Sequence, residues 1–183
     1  MTLEAAEKPR EVAKIHLLVH PGFIANELHR ETLAGRPVPA YLPDYAQESE
    51  KLLARIVEHA GTIPENEIMV VITDGDRSEL GSEMPYADLI DQLRTALKRR
   101  LIVLTDPTFD SLNVGTSEHV FADFQKLATA RGYSFGPQTP LEAYGETSTN
   151  CVPRVLAAFK ARGHFTGEAS INKPPTNESS AVA

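Results

Sequence analysis

Lys14-Ile-His-Leu-Leu-Val-His20, closed by Pro21-Gly22, is the stretch from which the architecture follows. It is a short apolar run ended by a turn pair. Its apolar residues would fall on both faces of an extended chain, as in a strand covered on both sides. Glu67-Ile-Met-Val-Val-Ile-Thr73, stopping at Asp74-Gly75-Asp76, repeats the pattern. Arg100-Leu-Ile-Val-Leu-Thr105, stopping at Asp106-Pro107, gives it a third time. Weaker strands are expected at residues 133–135 and 141–144.

Amphipathic stretches lie between these runs. Asp44 is a candidate cap for a helix to about Ala60, with Leu52, Leu53, Ile56 and Val57 on one face and Gly61 as its stop. A second helix is expected from Tyr86 to Arg99, with Leu89, Ile90, Leu93 and Leu97 as its stripe. Its basic end, Lys98-Arg99-Arg100, reads first as a solvated terminus that complements the helix dipole. A third runs from a Ser117 cap to about Arg131, and a fourth from Cys151 to Gly163. Alternation of this kind predicts an α/β three-layer sandwich with a mostly parallel sheet of five or six strands. A single α/β domain is expected over residues 1–163. Within it, the proline-bearing segment 21–43 is read as an irregular lid or interface arm, with a short helix at 23–30. Residues 164–183 are polar and rich in Pro and Ser, and are expected to form a flexible C-terminal tail.

Composition narrows the function. The 183 residues carry 18 Lys plus Arg against 25 Asp plus Glu, a net charge of −7. Gripping a polyanion needs the opposite balance, so no nucleic-acid partner is expected. No apolar run approaches the roughly twenty residues that span a bilayer, and none resembles a signal peptide, so no membrane partner is expected. A single cysteine allows no internal disulfide and suits a reducing, cytoplasmic setting. No Gly-x-Gly-x-x-Gly follows the first strand and there is no phosphate-cradling loop, so no dinucleotide cofactor is expected. His29, His59, His119 and His164 have no partner at metal-ligand spacing, and His16 reads as a core or interface histidine.

In an open parallel sheet, ligands bind beyond the carboxyl ends of the strands. That rule gathers His20, Asp74, Asp76, Asp106, Glu146 and Cys151 at one rim, with Asn150 as the cap preceding Cys151. Cys151 would open the last helix, where unpaired N–H groups and the helix dipole favour a thiolate. A nucleophile placed there could work covalently, with the N–H groups receiving an oxyanion. His20 and Asp74 are the candidate bases. Asp76, Asp106, Glu146 and Asn150 are the candidate substrate-binding groups.

The segment Tyr144-Gly-Glu-Thr-Ser-Thr-Asn-Cys-Val-Pro-Arg-Val-Leu-Ala-Ala-Phe-Lys-Ala-Arg-Gly163 resembles the end of the isochorismatase-like cysteine hydrolases. Gly145, Ser148 in place of a Thr, Cys151-Val152, Ala157-Ala158 and Gly163 fall at compatible spacing over about twenty residues. The resemblance implies a Rossmann-like sandwich, a homo-oligomer, and hydrolysis of a small-molecule amide, imide or vinyl ether through the cysteine. That family places an Asp at the end of its first strand and a Lys after a middle strand. Here the corresponding strand ends carry His20-Pro21 and the acids Asp74, Asp76 and Asp106, so His20 is the conjectured replacement base.

Two other readings stand beside this one. The chain could be a hydrolase-like binding or assembly module that has lost its triad, with Cys151 a small buried hydrophobe. It could also hold Mg²⁺ on Asp74, Asp76 and Asp106 to hydrolyse a phosphate ester, although acids at strand ends are also ordinary turn and cap chemistry.

Overall fold

The computed structural model describes residues 8–74, 87–106, 118–146 and 151–172. In chain order the elements are β1 (Arg10–Glu11), β2 (Lys14–Val19), α1 (Phe23–Leu33), α2 (Leu42–Ala60), β3 (Glu67–Asp74) and α3 (Ala87–Leu97). A 3-10 turn at Lys98–Arg100 leads into β4 (Leu101–Asp106), followed by α4 (Glu118–Ala130), β5 (Tyr133–Ser134), β6 (Leu141–Gly145), α5 (Cys151–Arg162) and β7 (Ala169–Ile171).

Five strands make one parallel sheet in the order β4-β3-β2-β6-β7. The chain starts at the centre with β2, builds outward to β4, then returns to the other side of β2. A topological switch therefore lies between β2 and β6, the position at which open α/β sheets bind ligands. This is the α/β Rossmann-like sandwich that the sequence predicts.

Alternation along β2 decides what covers each face. Ile15, Leu17 and Val19 pack with Phe121 and Phe124 of α4 and Val155 and Phe159 of α5. Leu18 faces the other way, onto Leu53 and Ile56 of α2 and Leu93 and Leu97 of α3. Each of these large side chains contributes about 1.5–3 kcal/mol on burial, which is why the three central runs are apolar on both faces. No helix among the described residues is long and apolar enough to cross a membrane.

The structure corrects the expected outline at several points. Tyr133–Ser134, placed by its sequence in the main sheet, pairs instead with Arg10–Glu11 in a separate two-stranded parallel sheet. The fifth strand of the main sheet is β7, which lies in the segment read as tail. The chain is held there because Phe165, 3% exposed, packs its ring against Phe121, Phe135 and Phe159 at 5.8–6.1 Å. Thr166 N and Gly167 N then donate to Pro137 O and guide the chain to the sheet edge. Within 21–43, α1 runs three residues beyond the short helix expected at 23–30, and Pro43 sits in the first turn of α2, where its missing N–H costs nothing. Tyr41, not Asp44, is the N-cap of α2; Asp44 lies inside its first turn, where its charge suits the dipole. The basic cluster after α3 is not simply solvated: Arg100 donates to the carbonyls of Ile63 and Pro64 at 2.9 and 2.8 Å. Tyr86, the Ser117 cap and residues 173–183 lie outside the described residues.

Candidate functional site

The switch point is built from the ends of β2 and β6. His20 N continues the ladder, donating to Ile72 O at 2.8 Å, and the chain then reverses through Pro21 into α1. The reversal uses two left-handed residues, Gly22 (φ 79°) and His20 (φ 45°). Glycine takes that conformation freely, whereas for histidine it costs about 1–2 kcal/mol. His20 is 2% exposed, so the surrounding packing fixes a buried imidazole at the strand tip.

Val19 is the register partner of Gly145 at the end of β6. A Cβ on Gly145 would come within 2.7 Å of both Val19 O and Val152 Cγ2. The missing side chain thus lets the first turn of α5 sit directly over the ends of β2 and β6. Cys151 is the first residue of that helix, as the sequence predicts. The first-turn N–H groups of Cys151, Val152 and Arg154 have no partner within the helix, and Pro153 has none to offer. Cys151 is 5% exposed and belongs to the apolar cluster that includes Val19, Val152 and Val155.

Glu146 follows β6. Its Oε1 accepts from Gly22 N at 3.0 Å and its Oε2 from Ile24 N at 3.1 Å, and Ser49 Oγ of α2 donates to Oε1. Donors from three residues thus reach this carboxylate, which clamps the end of β6 to the start of α1 and to α2. Ser49, 4% exposed, was missed by sequence reasoning. Its signal was a hydroxyl on the buried face of α2, beside Ala46 and Leu53.

Asp74 and Asp106 end β3 and β4 as register partners, which puts their backbones side by side at the rim. Asp76, Ser148, Asn150 and the side chains of Asp74 and Asp106 lie outside the described residues. Among the described residues no group of three or more His, Cys, Asp or Glu side chains is arranged to hold a metal ion.

A second polar cluster lies at the opposite, amino end of the sheet. His16 Nε2 is 2.6 Å from Glu67 Oε2, and its Nδ1 is 3.0 Å from Tyr144 Oη, which in turn lies 3.0 Å from His59 Nε2. Lys14 and Asn172 donate to Glu142 on the same face. His16 donates through Nε2 to Glu67 Oε2, because a carboxylate only accepts. Burial holds the imidazole below its ordinary pKa, against the pull of Glu67. Burial also pushes the Tyr144 phenol far up, helped by the Glu142 carboxylate. Burial pulls Glu142 up as well, but hydrogen bonds from Tyr144, Asn172 and Lys14 together overcome it and leave the carboxyl below its ordinary value. The network ties α2 to β2, β3 and β6, and it lies away from the strand ends where ligands bind. Sequence reading took His16 as a core or interface histidine; the structure buries it in the sheet with partners that reading missed. All of them share its face of the sheet or the adjoining helix.

Described residues line clefts at the following places. One of ≈ 450 Å³ lies beside β1, between Val12, Asn66 and the 136–140 turn. Another, ≈ 350 Å³, lies beside the switch point against α1, with Phe23, Ile24, Tyr41 and Leu42 in its wall. Neither is lined by Cys151.

The fold is a doubly wound α/β domain in which a buried histidine follows β2 and a buried cysteine opens α5. Comparison with family models, curated proteins and solved structures finds no match for the chain.

Proposed function

We propose that the protein is an isochorismatase-like hydrolase that cleaves a C–N or related bond of a small molecule through Cys151. The observation that carries this reading is the position of Cys151 as the first residue of α5, over the ends of β2 and β6. Its thiolate attacks the substrate carbonyl carbon, and the oxyanion that forms is received by N–H groups of the helix start. His20 takes the thiol proton and returns it to the leaving amine. Water, deprotonated by the same imidazole, then hydrolyses the thioester and regenerates the thiol. In this reading the protein is a cytoplasmic homo-oligomer. The test is mass spectrometry of the protein incubated with a panel of small primary amides and imides. A thioester adduct on Cys151 with release of ammonia, absent in Cys151→Ser, supports the reading; no adduct and no ammonia across the panel count against it.

A second reading is a non-catalytic binding module. It is favoured by the 5% exposure of Cys151 within an apolar cluster and by the cleft against α1, whose wall is largely apolar. Ligand-induced thermal stabilisation that persists in Cys151→Ser, without turnover in either protein, separates it from the hydrolase.

A further inference from the structure

We propose that the cleft between α1 and the start of α2 binds a small organic ammonium ion with an apolar body. This gives the binding-module reading its ligand and rests on that reading; it requires no chemistry at Cys151.

The first support is how the cleft is built. Phe23, Glu27 and Glu31 are spaced four residues apart on α1, so they form one stripe along the helix. Tyr41 and Leu42, at the start of α2, line the cleft with that stripe. Between the helices the chain passes through Pro37 and Pro39, which belong to the same wall. Proline fixes φ, and Leu42 N donates to Pro39 O at 2.9 Å, so the turn that carries Tyr41 is stiff. Ile24, whose N–H is held by Glu146 at the end of β6, also lines the cleft and places it beside the switch point. Its ≈ 350 Å³ falls within the range of about 300–1,000 Å³ usual for small-ligand sites.

The second support is charge. The charged groups in the wall, Glu27 and Glu31, are both acidic. Glu27 Oε1 accepts from Arg30 Nη1 at 2.9 Å, and Glu31 accepts from Arg36 Nε and Nη2 at 2.7 and 2.6 Å. These pairs hold the carboxylates in place, while neither guanidinium is part of the wall. The two acidic side chains are 32% and 21% exposed, and partly buried charges are screened less by salt than exposed ones. The net charge of −7 adds a field that draws cations toward the protein.

The third support is a pair of rings left in water. Tyr41 and Tyr45 are 61% and 57% exposed and meet edge to face at 5.7 Å. Elsewhere the chain packs its rings inside, as with Phe121, Phe124, Phe159 and Tyr144. Exposed apolar groups gathered beside a cleft mark an interaction surface. An aromatic face attracts an organic cation, so rings next to carboxylates select an ammonium group over an anion. Phe23, Ile24 and Leu42 then offer apolar surface to the rest of the ligand.

The test is an amide NMR titration of the full chain, at neutral pH and low salt, with phenethylamine, phenethyl alcohol and hydrocinnamate. These probes put a cation, a neutral group and an anion on the same ring. Phenethylamine is expected to shift amides of α1 and of residues 41–45, and to bind about fivefold or more tighter than the alcohol. Hydrocinnamate is expected to leave them in place. Tyr41→Ala and Glu31→Gln, each first shown to be folded by circular dichroism, should weaken the amine about fivefold. Only Tyr41→Ala should also weaken the alcohol. If Glu31→Gln does not fold, Glu27→Gln replaces it with the same expectation. Cys151→Ser should bind the amine as the wild type does. Equal affinity for amine and alcohol, tighter binding of hydrocinnamate, or no shift at these residues with any probe overturns the proposal. A Tyr41→Ala protein with half the wild-type mass in solution shows that a second copy covers the rings, and overturns it as well. The binding-module reading fails on a different observation, turnover of an amide at Cys151.

Discussion

His16 Nε2 and Glu67 Oε2 meet at 2.6 Å across β2 and β3, on an imidazole sealed inside the sheet. The pairing shows how this chain admits polar groups to a two-sided apolar sheet. It collects them at one end of one face and links them, so that each buried donor or acceptor in the cluster has a partner.

Stability should fall on acidification in two stages. His16 has a folded-state pKa below its ordinary value of 6.5, so its contribution is fully present above pH 6.5 and is lost as pH falls toward the folded value. Glu142 is also lowered, from 4.5, so its contribution is present above pH 4.5 and is lost below it. Urea midpoints measured from pH 8 to pH 4 are expected to decline from about 6.5 downward. In His16→Gln the first stage should disappear while the second remains.

The same cluster predicts an alkaline limit. Tyr144 is held neutral in the fold, so the unfolded chain loses its phenolic proton first, and stability should drop as pH rises above 10. Tyr144→Phe is expected to remove that drop. At neutral pH it should cost about 1–3 kcal/mol, because His16 Nδ1 and His59 Nε2 lose their shared partner. A urea denaturation series on the two proteins checks both statements.

Gly145 should not tolerate a methyl group. In Gly145→Ala the added carbon meets Val19 O and Val152 Cγ2 at 2.7 Å, so either the strand end or α5 must move. The expected cost is about 1–3 kcal/mol by thermal or chemical unfolding, with the start of α5 displaced from the switch point.

The segment after residue 163 should be required for folding, although its composition suggests a tail. Phe165→Ala empties a buried site shared with Phe121, Phe135 and Phe159, and should cost about 3 kcal/mol or more. Truncation after Gly163, which also removes β7, should cost at least as much. Thermal unfolding of the two variants beside the full chain measures both.

How far the sequence could be read follows from what each residue contributes to a pattern. The central strands were legible because Leu17, Leu18, Val70 and Val71 are buried on opposite faces, and a short continuous apolar run bounded by turn residues is what a strand covered on both sides requires. β7 was not, because Ala169, Ser170 and Ile171 are exposed at the sheet edge and carry no apolar signature. Its position is set by one aromatic residue, Phe165, four places upstream of the strand. At the site, Cys151 could be placed at the start of α5 from the strand–turn–helix rhythm alone. The clamp could not, since Glu146, Ser49 and Gly22 are joined only when the order of the sheet brings β6 beside β2. No local pattern in the chain encodes that neighbourhood.

The central claim, that Cys151 is an activated nucleophile at the switch point, is most directly tested by its rate of reaction with iodoacetamide near neutral pH, in the folded protein and in the same protein unfolded in urea. The account predicts a folded-state rate above that of the unfolded thiol, with one equivalent incorporated at Cys151 while the protein keeps its fold. A thiol that reacts only when the chain unfolds would contradict it.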